Sequence, residues 1–99
     1  MKSFSIRVLA SAEADLNEAF KYYSEINPKL GQRFLKLINA ALNDLKKNPN
    51  YQVRYDNFRM KVVNKFPYVI HYILDEDQQI VFIYGIRNTY QNPDKYPKE

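Results

Sequence analysis

Cationic side chains are concentrated in one short stretch of the sequence. Residues 54–65 contain four cations and a single anion, Asp56. Arg59 and Lys61 stand two residues apart in a pattern typical of a strand, so their side chains leave the same face roughly 6–7 Å apart. A phosphate diester and its neighbour can bridge this span, and guanidinium and ammonium groups both bind phosphate oxygens. The stretch therefore indicates a polyanionic partner, either a nucleic acid or an acidic protein.

The composition restricts the chain to a small domain. Its 99 residues suit one hydrophobic core, and we expect a single domain over residues 1–99 with a polar C-terminal tail at residues 87–99. The sequence has no cysteine and one histidine, His71, which excludes a disulfide framework, a thiolate zinc site and a pair of imidazole ligands. The carboxylates of residues 75–77 lie on a predicted turn and do not share one face, which is typical of a solvated hairpin tip. We therefore expect no metal and no cofactor.

The charge and hydropathy of the chain favour a soluble protein. The net charge is +4, and 45% of the residues are hydrophobic. No apolar run is long enough for a signal peptide or for a membrane span. We therefore expect a cytoplasmic protein that does not associate with membranes.

Two amphipathic helices are predicted after a short first strand. Ser11 is positioned to cap the first helix, which the apolar spacing predicts over about residues 12–26. Asn27 and Pro28 form the next start signal, because asparagine caps well and proline at the first helical position loses no needed N–H. The second helix is predicted to end before Asn48. So short a link between two helices predicts an antiparallel hairpin.

The rest of the chain alternates with a period of two residues, which is typical of β-strands. A first strand is predicted at residues 4–8, and four more at 51–55, 58–63, 68–74 and 80–86. Short turns connect the last four, so these strands are expected to pair antiparallel. The last strand is apolar throughout, which is typical of a strand covered on both faces.

The predicted fold is an α+β domain with the order β-α-α-β-β-β-β, in which the helical hairpin packs on one face of an antiparallel sheet. The opposite face is expected to be free for function. Phe58, Met60 and Val62 should face the helices because they are apolar. Arg59 and Lys61 alternate with them and are expected on the open face. The predicted core residues are Leu16, Phe20, Tyr23, Phe34, Leu37, Ile38, Ala41, Ile70, Phe82 and Tyr84.

Several short motifs match one known family in their order and spacing. They are Ala14-Asp15-Leu16, Tyr22-Tyr23, Leu30-Gly31, Phe34, Asn48-Pro49, Phe58-Arg59, Phe66-Pro67-Tyr68-Val69-Ile70-His71-Tyr72 and Asn92-Pro93. On these motifs the chain resembles the RelE/ParE superfamily of toxins from bacterial toxin–antitoxin modules, from Ile6 to Pro93. The resemblance implies a helical hairpin packed on an antiparallel sheet, which agrees with the fold predicted above.

The resemblance also implies a toxin that arrests growth and is neutralised by a cognate antitoxin protein in a hetero-oligomeric complex. The motif Phe66-Pro67-Tyr68 is similar to the ParE branch, which is associated with inhibition of DNA gyrase. The alternatives are the RelE branch, whose members are ribosome-dependent mRNA endoribonucleases, and a degenerate member that is not toxic but still binds its antitoxin. Two departures bear on this choice. Arg87 stands where many members have a histidine, and residues 68–72 lack the arginine that the ribonucleases often have there.

The ribonuclease alternative assigns catalytic roles to Arg59, Lys61, Arg87 and Tyr90. Cleavage without a metal needs a base for the 2′-hydroxyl, a cation for the phosphorane and an acid for the leaving oxygen. The three cations suit charge stabilisation, and Tyr90 suits stacking or proton transfer. Proton transfer is therefore the step for which the sequence offers the fewest suitable groups. The residues predicted to bind the target are Arg54, Lys65 and His71. The basic strand is equally typical of a solvated face, and a lone histidine is more often hydrogen-bonded beside a core than catalytic.

Overall fold

The described part of the chain, residues 3–90 and 92–99, folds into two α-helices and a five-stranded sheet in the computed structural model. Met1, Lys2 and Gln91, the last of which belongs to the predicted tail, lie outside the described residues. The elements in chain order are β1 (Ser5–Val8), α1 (Ala10–Ile26), α2 (Pro28–Lys47), β2 (Val53–Tyr55), β3 (Phe58–Val62), β4 (Tyr68–Asp75), β5 (Ile80–Asn88) and a short 3₁₀ helix (Pro93–Lys95). This order confirms the predicted β-α-α-β-β-β-β arrangement.

The two helices pack against each other as a hairpin that turns at Asn27. Its side-chain oxygen accepts a hydrogen bond of 2.9 Å from the N–H of Lys29, as expected for the cap of α2. The helices approach closely at Gly31, where an added Cβ would overlap the hydroxyl oxygen of Ser24. Neither α-helix in the described residues is long and apolar enough to cross a membrane.

The start of α1 lies against the edge of β5. The cap residue is Leu9, and its N–H donates a hydrogen bond of 3.0 Å to the carbonyl of Ile83. The prediction of Ser11 as the cap is therefore wrong. Ser11 lies inside the helix, and its hydroxyl donates to the carbonyl of Tyr84 at 2.7 Å. β1 ends at Val8, and beyond that point the residues at the start of α1 take its place and donate hydrogen bonds to the backbone of β5.

The sheet has the strand order β1-β5-β4-β3-β2. The strands β2 to β5 pair antiparallel with their neighbours, as predicted. β1 pairs in parallel with β5, with Ser5 opposite Ile80 and Val8 opposite Ile83. The sheet is therefore mixed rather than wholly antiparallel. The helical hairpin carries the chain from β1 to the opposite edge of the sheet at β2, and the last strand, β5, returns beside β1.

The main core lies between the helices and one face of the sheet. Its fully buried large side chains are Phe34, Ile38, Leu45, Val63, Ile70, Tyr72, Val81 and Ile83. The predicted core residues that are only partly buried around it are Leu16, Phe20, Tyr23 and Leu37. Phe82 and Tyr84 lie on the other face and are half-buried, so their assignment to this core is wrong.

A β-bulge at Tyr84 changes which residues of β5 share a face. Gly85 and Ile83 pair with consecutive residues of β4, so Tyr84 has no partner of its own. As a result, Ile83 and Ile86 both face the helices although they are three residues apart. Arg87 is therefore directed to the opposite face.

Residues 92–99, here called the strap, cross the face of the sheet that points away from the helices. The Tyr96 ring lies 4.7 Å from the His71 ring, and Pro97 is buried over Gly85, where an added Cβ would lie 2.5 Å from the proline Cγ. Among the described residues, the strap forms backbone–backbone hydrogen bonds only within itself. The prediction that this face is free for function is therefore wrong for its centre.

Candidate functional site

Arg59 and Lys61 lie on the helix side of the sheet, so their predicted position on the open face is wrong. Their partners on β4 are Tyr72 and Ile70, which belong to the core beneath the helices. Lys61 also reaches α2, where its Nζ lies 3.6 Å from the carboxylate of Asp44.

The orientation differs from the prediction because the second face of the sheet has an apolar cluster of its own. Phe58 is fully buried there, stacked on Tyr55 at 4.9 Å between ring centroids and in edge contact with Tyr84 at 5.1 Å. When both faces of a strand are covered, an apolar residue no longer identifies the face that meets the helices.

Arg59 and Lys61 converge on Tyr51, in the loop that follows α2. Arg59 Nη1 donates to the backbone carbonyl of Tyr51, and Lys61 Nζ donates to its hydroxyl, both at 2.9 Å. The hydrogen bond to this hydroxyl is the main reason that the pKa of Lys61 is raised. The side chains of Arg59 and Lys61 are only 20% and 19% exposed, so little of either cation is accessible to a phosphate.

Arg87 lies on the opposite face and is paired with Asp15 of α1. Its Nε is 3.0 Å from the carboxylate, and the same carboxylate oxygen accepts the N–H of Ile86 at 3.0 Å. Burial raises the pKa of Asp15, and the Ile86 hydrogen bond and the charge of Arg87 act against this rise. Ile86 and Lys61 both pair with Ile70 of β4, so they lie on the same face of the sheet. Arg87 follows Ile86 in the strand and is directed to the other face. The three predicted catalytic cations are therefore not brought together.

His71 is buried beneath the strap and only 1% exposed. Its Nδ1 lies 3.0 Å from the Tyr55 hydroxyl, which donates to the carbonyl of Pro97 at 3.1 Å, so the Tyr55 oxygen accepts from a neutral imidazole N–H. Burial, with a smaller effect of the positive charge of Arg87, lowers the pKa of His71 to about 4. Burial likewise raises the pKa of Tyr55 to about 12. His71 therefore has almost no surface with which to contact a target.

The remaining predicted site residues, Arg54, Lys65 and Tyr90, are exposed. Tyr90 is 88% exposed just beyond β5, in a turn where its N–H donates to the side chain of Asn88 at 2.8 Å. Arg54 is exposed on the edge strand β2, and Lys65 is exposed in the turn before β4, where its φ is 68°. These positions leave all three side chains accessible. The catalytic role of Tyr90 and the target-binding roles of Arg54 and Lys65 stay predictions.

A cleft of about 510 Å³ lies between α1 and the end of β5. Asp15 and Arg87 lie in its lining, and Tyr22 and Ile26 stand at its rim, each 60% exposed. The sequence analysis singled out neither Tyr22 nor Ile26 as a surface residue. The available signal was that Tyr22 falls outside the apolar spacing that predicts the first helix. Large exposed apolar side chains beside a cleft are typical of a protein-binding surface.

No group of three or more histidine, aspartate or glutamate side chains that could hold a metal ion occurs in residues 3–90 and 92–99. Arg59, Lys61 and Arg87 each lie beside a carboxylate, and the histidine is covered. The clefts bring apolar and charged side chains side by side, which is the usual composition of a protein interface.

Known proteins similar to the chain share its fold. The family described as the ParE toxin of the type II toxin–antitoxin system parDE has a model that matches residues 6–93. Among solved structures, the chromosomal ParDE toxin–antitoxin system of P. aeruginosa matches with a TM-score of 0.75 and 16% identity, over 89% of this chain and 98% of that one. The RelBE2 toxin–antitoxin complex of Mycobacterium tuberculosis matches with a TM-score of 0.56 and 17% identity, over 87% and 98%. A search of curated proteins gave no significant match.

The two solved structures, at these low identities, show the fold alone. The family model extends over every strand and both helices except the first residue of β1, and it confirms the resemblance to the RelE/ParE superfamily stated on the sequence motifs. The chain therefore belongs to the ParE toxin family of type II toxin–antitoxin systems.

Proposed function

We propose that the protein is the toxin of a bacterial type II toxin–antitoxin module, that a cognate antitoxin holds it inactive, and that it arrests growth in the cytoplasm by binding and inhibiting DNA gyrase. Family membership supports the role of toxin, and both similar structures are named for toxin–antitoxin systems. The preference for a bound target over a cleaved RNA comes from the positions of the cations.

The observation that carries this preference is the separation of the groups that RNA cleavage would use. Cleavage without a metal needs a cation, a base and an acid around one phosphate. Arg59 and Lys61 are engaged on the helix side of the sheet, whereas Arg87 is paired on the other side. His71, the one imidazole of the chain, is covered. A toxin that acts by binding needs no such convergence of groups.

The cleft between α1 and β5 is the surface that suits the antitoxin. Tyr22 and Ile26 offer apolar anchors there, and the net charge of +4 favours an acidic segment. We expect an acidic and apolar antitoxin segment that becomes ordered on binding. Tyr22→Ala combined with Ile26→Ala should weaken the toxin–antitoxin complex by about tenfold or more. Tyr90→Ala removes another exposed tyrosine, outside the cleft, and should leave the affinity unchanged.

The target is tested by inducing the protein in cells that lack the antitoxin and following translation and DNA replication separately. Replication should stop first, with an SOS response, and the purified protein should block supercoiling by purified gyrase. Early arrest of translation with cleaved mRNA would favour the ribonuclease alternative, and absence of arrest would indicate a non-toxic member that binds antitoxin.

The catalytic assignment is tested with Arg59→Ala, Lys61→Ala and Arg87→Ala combined in one chain, whose fold is checked by circular dichroism. Growth arrest that survives the loss of all three cations would contradict a role for them in RNA cleavage. Loss of arrest together with loss of mRNA cleavage, in a folded variant, would contradict the proposal of gyrase inhibition.

A further inference from the structure

The hairpin formed by β4 and β5 projects beyond β3. Pairing of β3 with β4 stops at Arg59 and Tyr72, whereas pairing of β5 with β4 continues to Ile80 and Asp75. Within the described residues, the stretch 73–75 of β4 therefore has a strand partner on one side only. A cleft of about 610 Å³, here called the notch, lies between this stretch, the β2–β3 turn and the end of the strap.

The notch exposes apolar side chains beside the unpaired strand edge. Ile73 and Phe82 lie directly opposite each other on β4 and β5, and both are half-buried. Val53 of β2, which is 45% exposed, also lines the notch. An unpaired strand edge with apolar side chains next to it is a geometry that binds an extended segment of another chain.

The rim of the notch is acidic, although the chain as a whole is basic. Arg59 is the one cation in the lining, and the carboxylates are those of Asp75, Glu76, Asp77 and Glu99. Asp75 and Glu99 are held in place, because each accepts a hydrogen bond of 3.0 Å, from a backbone N–H and from a side-chain amide respectively. Glu76 and Asp77 are exposed, and Glu76 is 3.9 Å from Arg59. Such a rim repels phosphate groups and attracts lysine and arginine.

We propose that the notch is the docking site for an extended basic segment of a partner protein, which adds to the edge of β4 at residues 73–75 and places lysine or arginine side chains against the acidic rim. The strand edge requires an extended backbone, the apolar walls require an apolar side chain, and the rim selects positive charge. The identity of the partner rests on the proposed function: it is the target of the toxin, because an acidic antitoxin segment is repelled from the notch.

The first experiment needs no identified target. Backbone amide NMR signals of the full chain are recorded while a short synthetic peptide of alternating lysine and leucine is added. A peptide of alternating glutamate and leucine is the matched control. The lysine peptide should shift the signals of residues 73–75 and Phe82, and the glutamate peptide should shift none of them. Absence of these shifts, or shifts confined to the cleft beside α1, would overturn the proposal.

The second experiment reverses the charge of the rim. Glu76→Lys with Asp77→Lys changes the two exposed rim residues, and Glu13→Lys with Glu25→Lys makes the same change of net charge on exposed positions of α1. The rim variant should bind the lysine peptide and purified gyrase at least about tenfold more weakly and should lose growth arrest. Its antitoxin affinity should not fall below that of the wild type, because added positive charge does not repel an acidic segment. The α1 variant should arrest growth like the wild type.

The outcomes separate this inference from the proposed function. Growth arrest that is unchanged in the rim variant overturns the inference. Tighter binding of the target by that variant also overturns it, because it identifies a nucleic acid as the occupant of the notch. If the wild type arrests growth without inhibiting gyrase, the gyrase proposal fails. The notch is still tested in that case by whether cells that express the rim variant stop growing. If the wild type does not arrest growth at all, the peptide titration decides.

Discussion

The neutral histidine beneath the strap predicts a specific dependence of stability on pH. Burial, with the positive charge of Arg87, lowers the pKa of His71 from 6.5 to about 4. In the unfolded chain the imidazole returns to a pKa of about 6.5, so between pH 6.5 and 4 the unfolded state binds a proton that the folded state does not. The stability that depends on the neutral imidazole is therefore fully present above pH 6.5 and is lost as the pH falls toward 4.

The size of this effect follows from the two pKa values of His71. A displacement of the pKa from 6.5 to about 4 corresponds to about 3 kcal/mol over the whole range, of which about 2 kcal/mol is lost between pH 7.5 and pH 5. Asp15 acts in the opposite direction, because burial raises its pKa and the folded state takes up its proton at a higher pH than the unfolded state does. A comparison with a chain that lacks the imidazole cancels this contribution.

Urea denaturation at pH 7.5 and pH 5, on the wild type and on His71→Gln, measures the effect. The free energy of unfolding of the wild type should fall by about 2 kcal/mol more than that of the variant. An NMR titration of the wild-type imidazole gives a second readout that does not depend on whether the variant folds, and its signals should respond only near pH 4. Equal losses in the two proteins, or an imidazole that titrates near pH 6.5, would refute the burial of His71.

Three further substitutions test the packing of the helices and the strap. Gly31→Ala should lower the free energy of unfolding by about 1–3 kcal/mol because the new Cβ meets the Ser24 hydroxyl, and adding Ser24→Ala should restore part of it in thermal denaturation. Phe34→Ala should cost about 3–5 kcal/mol in urea denaturation, and a cost near zero would contradict its full burial. Gly85→Ala should displace Pro97 and speed proteolysis of the strap, and an unchanged rate would show that the strap is not held there.

Local sequence signals predicted the elements of this fold. The pair Asn27-Pro28 gave the start of α2 because capping depends only on neighbouring residues, and the observed hydrogen bond to Lys29 confirms it. The alternating patterns likewise predicted every strand, with bounds that differ by a few residues: β2 begins at Val53 rather than Tyr51, and β5 extends to Asn88. The order of elements was therefore accessible from periodicity and turn signals alone.

The faces of the strands could not be predicted, because they depend on residues far apart in the chain. Phe58 is buried by aromatic residues of β2 and β5, so its apolar character did not show that it points away from the helices. The bulge at Tyr84 reverses the alternation before Arg87. Gly85 beside it is a local signal, because a glycine inside a strand often marks a bulge, but it does not show how the bulge changes the facing of the residues that follow. The strap covers His71 through contacts more than twenty residues distant in sequence. The elements of the site were thus predicted, and its assembly was not.

Asp15 connects α1 to the edge of β5 through two interactions that substitution can separate. Its carboxylate accepts the N–H of Ile86 and lies beside Arg87. Asp15→Asn keeps an acceptor oxygen and removes the charge, whereas Asp15→Ala removes both.

Because burial raises the pKa of Asp15, the folded state disfavours the charged form. We therefore expect the asparagine variant to keep nearly the wild-type free energy of unfolding at pH 7, and the alanine variant to lose about 1–3 kcal/mol because a partly buried N–H is left unpaired. Urea denaturation with amide exchange at Ile86 measures both. Equal losses in the two variants would show that the ion pair, and not the hydrogen bond, holds α1 against β5.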